Sequence, residues 1–168
     1  MIKKVYLSLF LLFFSTYAIC QNILTGKVVR VADGDTITIL EEDNTQTRVR
    51  LYGIDCPESH QDFGTVAKKF TADHCFQKTV KVEVKDVDRY GRTVGIVVLP
   101  NGKNLNKELL KAGLAWHYKY FDKSKEFAAL EAHAKENQLK IWSMKDPIAP
   151  WDFRHAKKSE SSSVLTGM

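Results

Sequence analysis

TGKVVRVADGDTITILEEDNTQTRVRLYGIDCPE (residues 25–58) reads as successive strands separated by turns. Thr25–Val31 is rich in β-branched residues and runs into Asp33-Gly34, a turn dipeptide. Thr36–Leu40 alternates Thr and Ile, the period of a strand with one buried face. Glu41–Gln46 is polar and holds Asp43-Asn44, which suits a hairpin loop. Thr47–Tyr52 alternates again, with Val49 and Leu51 on one face and Arg48, Arg50 and Tyr52 on the other. Arg50 is therefore expected to point away from the apolar face, or into a polar mouth at a barrel rim.

Further along, Phe63–Phe76 carries a helical stripe (Val66, Ala67, Phe70) with Thr65 as its expected N-cap. Thr79–Val84 alternates Val and charge, Asp86–Gly91 is a polar loop, and Thr93–Leu99 is a nearly continuous apolar strand stopped by Pro100-Asn101-Gly102. Leu105–Ala112 reads as a short helix ending at Gly113, and Glu126–Gln138 as another with Phe127, Leu130 and Ala134 on one face. Strands, one inserted helix, more strands and then helices give an α+β, mainly β, fold. The expected architecture is a five-stranded closed barrel of the OB type with three helices.

The 168 residues suffice for one ordinary domain. Lys3 and Lys4 precede an apolar run, Val5–Phe14, then Ser15 and Thr16, the pattern of a secretory signal. Residues 1–20 are expected to be that signal, cut after Cys20; the run is short for a bilayer span. The alternative, a lipidated Cys20, is disfavoured by the large Ile19 before it. The domain is placed at 21–145, followed by a polar, flexible tail at 146–168 that is Ser-rich from Lys157. The protein is thus expected to be secreted, extracellular or periplasmic, without a membrane anchor after cleavage.

Loss of Lys3 and Lys4 lowers Lys+Arg from 25 to 23 against 20 acidic residues, leaving a net charge of about +3. That suits a polyanionic partner but also simple solubility. Cys56 and Cys75 remain, either as a disulfide or as two buried thiols; spacing leaves both open. No CxxC or CxxH pairing occurs, which argues against structural zinc.

The chemistry lies in DGDT (33–36), RLYGIDCPE (50–58) and DRYGR (88–92). Asp35, Asp55 and Glu58 suit a hard cation that takes oxygen ligands, such as Ca²⁺. Arg50 and Arg92 suit phosphate oxygens, which a planar guanidinium grips with two donors. Asp33 reads as a turn residue.

VADGDT (31–36), RVRLYGIDCPE (48–58), DRYGR (88–92), LNKELLKAGLAW (105–116) and LKIWS (139–143) occur in one order. In these motifs the chain resembles the thermonucleases, the staphylococcal-nuclease-like group of secreted nucleases. The resemblance implies an OB barrel with three helices and a Ca²⁺-dependent phosphodiesterase acting on DNA and RNA. It also implies cleavage on the 5′-oxygen side, leaving 3′-phosphate ends. Carried over by position, Asp35 and Asp55 match the calcium carboxylates, and Cys56 a main-chain carbonyl ligand. Glu58 matches the general base, Arg50 and Arg92 the phosphate-clamping arginines, and Arg89 and Tyr90 contacts to a terminal phosphate. Tyr118 and Tyr120 resemble tyrosines of the nucleotide pocket. The resemblance implies DNA and RNA as partners, no stable protein partner, and a monomer.

The rival to an enzyme is a non-catalytic OB module that binds nucleic acid; such relatives lose the carboxylates or arginines, and this chain keeps them. His60, His74, His117, His133 and His155 share no metal or triad spacing. Trp116, Trp142 and Trp151 are expected to pack rather than stack on bases. Lys107, Lys111 and Lys119 fit either a nucleic-acid backbone or a solvated face.

Overall fold

Alternation in the N-terminal half becomes a barrel in the computed structural model, which describes residues 22–156. The expected signal (1–20) and the Ser-rich end from Lys157 lie outside these residues. The barrel strands are β1 (Ile23–Asp33), β2 (Thr36–Leu40), β3 (Gln46–Leu51), β5 (Thr79–Val87) and β6 (Thr93–Val98), and the short β4 is Ile54–Asp55. They close in the order β1-β2-β3-β6-β5, so no barrel strand is left with an open edge. Bulges in β1, at Val28/Arg30 and Val31/Asp33, bend this long strand so that it pairs with both β2 and β5. All pairs are antiparallel except β3 and β6, where Arg50 lies beside Val94.

In β2, β3 and β5 the inward residues are those the alternation picks out, and Val28 of β1 and Val97 of β6 join them. Val28, Ile37, Ile39, Val49, Leu51, Val80, Val82 and Val97 are fully buried. The helices are α1 (Gly64–Cys75), α2 (Leu105–Lys111) and α3 (Lys125–Glu136), at or within a residue or two of the expected spans. Asn104 caps α2 by accepting from Lys107 N–H, and Ser124 Oγ caps α3 by accepting from Phe127 N–H. The α1 cap differs from expectation. Phe63, not Thr65, holds the N-cap position, with φ 63° and no side-chain cap. Two tight turns, Gln61 N–H to Glu58 O and Gly64 N–H to Gln61 O, feed the chain into α1 and leave Thr65 already inside it.

Two other features were not legible in the periodicity. β4 pairs with β7 (Trp116–His117) in a two-residue ribbon, too short for any alternation to register. The domain also runs past 145. Residues 150–156 are helical, Gln61 Nε2 donates to Ile148 O at 3.1 Å, and Ala149 joins Trp116 and Ile141 in a second core cluster that Trp151 packs against. Ile148, Trp151 and Phe153 supply apolar surface that a reading of this stretch as a polar tail passes over.

The β4–β7 ribbon is secured from α3. Glu131 is buried; Oε1 accepts the His117 N–H at 3.0 Å, and Oε2 faces Lys135 at 3.0 Å and Lys119 at 3.4 Å. Burial pushes the Glu131 carboxyl up, but the hydrogen bonds from Lys135 and His117 outweigh it and hold the group below the ordinary 4.5. A depressed pKa contributes stability above the unfolded value that is lost as pH falls through the folded value. Glu131→Gln should therefore cost about 1–3 kcal/mol at pH 7, and urea denaturation should show the difference from wild type shrinking as pH falls below 4.5.

Candidate active site

Asp35 sits in the turn after β1, where Gly34 allows a close approach. A Cβ on Gly34 would stand 2.8 Å from Ala67 Cβ and 3.0 Å from Cys56 Sγ. Thr71 Oγ1 donates to Gly34 O, tying the same turn to α1. The turn is thus clamped between α1 and the chain after β4. Asp35 is buried: Oδ2 accepts the Cys56 N–H at 2.6 Å, and Oδ1 meets Thr36 Oγ1 and Arg50 Nη1.

Arg50 leaves β3 on its polar face, as the alternation predicts, and its guanidinium bridges two carboxylates. Nη1 pairs with Asp35 and Nη2 donates to Asp55 Oδ1 at 2.5 Å. Asp55, on β4, is fully buried. Burial raises the Asp35 carboxyl above its usual range; Arg50 opposes this, and the neighbouring Asp55 adds to it. Burial alone would lower the Arg50 pKa, but Asp35 and Asp55 reverse that and hold the guanidinium charged.

Glu58 follows on the loop before α1. Its Oε1 accepts from Arg154 Nη1 at 2.6 Å, while Arg154 Nη2 donates to Asp55 Oδ2 at 2.8 Å. The same Nη1 lies 3.3 Å from Asp55 Oδ1, so one nitrogen spans both carboxylates. Asp35, Arg50, Asp55 and Glu58 therefore converge at one mouth of the barrel. Arg154, on the C-terminal helical segment, completes it and is the residue that sequence reasoning missed. Its only signal was a cation among aromatics, Trp151-Asp152-Phe153-Arg154, in a stretch without a motif.

The third motif forms a group of its own on the β5–β6 hairpin. Asp88 Oδ1 accepts the Tyr90 and Arg92 N–H groups, and Oδ2 accepts from Arg92 Nε at 2.6 Å. Gly91, at φ 74°, makes the reversal that this needs. Burial pushes the Asp88 carboxyl up, but its bonds to Arg92 hold it below the usual range. Arg89 and Arg92 both lie against the exposed Tyr90 ring, at 4.8 and 5.4 Å. Arg92 immediately precedes Thr93, which pairs with Val49 in the parallel β3–β6 ladder. That ladder, rather than a contact with the carboxylates, relates Arg92 to Arg50.

The tyrosines stand beside the β4–β7 ribbon. Tyr118 N–H donates to Gly53 O at 2.9 Å, and the Tyr118 ring packs against Tyr120 and Phe121. Trp151 stacks on Tyr118 at 5.2 Å and 9° between planes. Tyr118, Tyr120, Trp151 and Lys119 line one cleft of about 260 Å³; Glu58, His60, Phe153 and Arg154 line another of about 330 Å³. Trp116 packs edge-on against Trp142, whereas Trp151 faces a cleft instead of serving only as packing.

Asp35 and Asp55 present only oxygen, and together they already hold one cationic guanidinium, the donor set and charge that suit a hard cation. Among the described residues, no three of His, Cys, Asp and Glu form a ligand cluster. A hard cation there would therefore complete its shell with main-chain carbonyls and water. Cys56 could contribute only through its backbone: its thiol is buried beside Gly34, and burial pushes it well above its ordinary range. Cys75 is a second buried free thiol, so the disulfide alternative falls away. His117 is buried, with Nε2 2.8 Å from Asp122 Oδ2, a structural rather than catalytic setting.

Comparison with known proteins extends this geometry. A family model described as staphylococcal nuclease homologue matches residues 48–144. A micrococcal nuclease of Shigella flexneri is 41% identical over 148 residues, covering 82% of this chain and 84% of that protein. An uncharacterized endonuclease of Escherichia coli O157:H7 is 38% identical over 152 residues, covering 90% and 98%. Staphylococcal-like nuclease CAN1 of Arabidopsis thaliana is 40% identical over 111 residues, which is 66% of this chain and 34% of that larger protein.

The clamped turn carries a prediction. Gly34→Ala forces Ala67 and Cys56 apart and displaces Asp35. It should cost about 1–3 kcal/mol in chemical denaturation and weaken the apparent affinity for divalent cation in calorimetry.

Proposed function

The chain belongs to the staphylococcal nuclease homologues, and we propose that it is an exported, calcium-dependent nuclease that hydrolyses phosphodiester bonds of DNA and RNA. The observation that carries this reading is the convergence of Asp35, Asp55 and Glu58 on guanidinium groups at one mouth of the barrel.

Asp35 and Asp55 would hold Ca²⁺, with the Cys56 carbonyl as a candidate third ligand. The ion, when bound, supplies charge neutralisation at a phosphate oxygen and a site for water. Glu58, half-exposed and beside Asp55, would accept a proton from the attacking water. Arg50 is held charged between the two carboxylates and would turn its donors toward the phosphate as negative charge builds there. Arg92, pre-set by Asp88 at the end of the parallel ladder, would grip a second oxygen. Arg89 and Tyr90 would meet a terminal phosphate, and Tyr118 and Tyr120 a nucleotide. The break is proposed to fall on the 5′-oxygen side, leaving 3′-phosphate ends, as the family resemblance implies. Export rests on the N-terminal charged and apolar pattern. A single barrel with closed edges is consistent with a monomer.

Incubation with single-stranded DNA, with and without a calcium chelator, tests the proposal. Cleavage only with Ca²⁺, leaving 3′-phosphate ends, is expected; retarded but intact DNA would identify a binding module. Glu58→Gln should retain nucleotide binding while lowering turnover about 100-fold or more, read in single-turnover assays.

A further inference from the structure

The C-terminal helical segment places two side chains directly on groups that the proposed reaction would use. Arg154 occupies both oxygens of Asp55 and reaches Glu58 Oε1, so the proposed metal ligand and the proposed base share one internal cation. Trp151, one helical turn earlier, lies parallel on Tyr118 and covers a ring face expected to meet a nucleotide. The spacing i, i+3 sets both on one side of a helix. The exposed Asp152 and His155 of the same segment do not share these contacts. The segment is anchored just before this turn, by Gln61 on Ile148 O and by buried Ala149. Arg154, by contrast, keeps 44% of its side-chain surface exposed.

We propose that residues 150–156 are an autoinhibitory strap: Arg154 stands in for the cation and Trp151 for a base, so strap docking and ligand binding exclude one another. This deepens the reading of the site as a cation-dependent nuclease and rests on it. The physical reason is competition for the same acceptors. A hard cation binds carboxylate oxygen at about 2.3–2.6 Å. Arg154 nitrogens already stand 2.6 Å from Glu58 Oε1 and 2.8 Å from Asp55 Oδ2. A divalent ion on these same oxygens would repel the guanidinium already seated on them. The anchor at Ile148 and Ala149 lets the Arg154 end lift while the base of the strap stays seated.

The test uses the full chain with CaCl₂ and an octathymidylate as probes. Arg154→Gln should bind Ca²⁺ about tenfold more tightly in calorimetry. In wild type, Ca²⁺ should raise the hydrogen-exchange rate of residues 150–156. Trp151→Ala should bind the octathymidylate several-fold more tightly in fluorescence anisotropy. Unchanged or weaker Ca²⁺ affinity in Arg154→Gln, or a segment that stays protected in Ca²⁺, overturns the strap. If neither wild type nor Arg154→Gln binds Ca²⁺, the calcium reading fails on its own. The anisotropy then decides the strap: tighter binding by Trp151→Ala upholds it, and equal or weaker binding removes it.

Discussion

One guanidinium held between two buried carboxylates organises this protein's functional end. Asp35 and Asp55 come from different parts of the chain, a strand-to-strand turn and a two-residue ribbon strand, and Arg50 of β3 meets both. Their burial would be costly without that charge, since an unpaired buried carboxylate is strongly disfavoured. Even with that pairing, burial holds the Asp35 carboxyl above its ordinary range. The surroundings are built to hold the arrangement. Gly34 lets the turn press against α1, the Cys56 N–H caps Asp35, and Glu131 fixes the ribbon that carries Asp55.

The barrel explains why these residues meet. Its strands alternate inward apolar and outward polar residues, so Arg50 emerges beside the turn that carries Asp35: Thr36 is its register partner on β2. The parallel β3–β6 pairing then brings the Asp88–Arg92 hairpin to the same side of the sheet. A membership that runs through residues 48–144 is consistent with this economy, in which one closed sheet serves as scaffold and a few rim residues supply chemistry.

Much of this is legible in the sequence. Period-2 patterns marked β2, β3 and β5, because one face of each is buried, while β-branched content marked β1 and a nearly continuous apolar run marked β6. DGDT and RLYGIDCPE pointed to the charged mouth, where Asp35, Arg50, Asp55 and Glu58 converge, whereas Arg92 of DRYGR is held by Asp88 in a group of its own on the β5–β6 hairpin. What escaped was short or non-local. The β4–β7 ribbon is two residues long on each side, and the entry to α1 depends on left-handed Phe63 instead of a side-chain cap. Arg154 acts across 96 residues of sequence from Glu58, a relation that local pattern does not carry. The disulfide question was likewise a matter of three-dimensional placement, and the fold keeps both thiols buried and free.

In the proposed function the Asp35–Arg50–Asp55 unit is a cation site, with internal arginines offsetting the carboxylates until a metal binds. Thermal unfolding in rising CaCl₂, for wild type and Asp35→Asn, tests this without reference to turnover. A ligand that binds only the folded state must raise its melting temperature. Wild type should show that rise and Asp35→Asn should largely lack it. A wild-type melting temperature indifferent to CaCl₂, or an equal rise in both proteins, would contradict the claim.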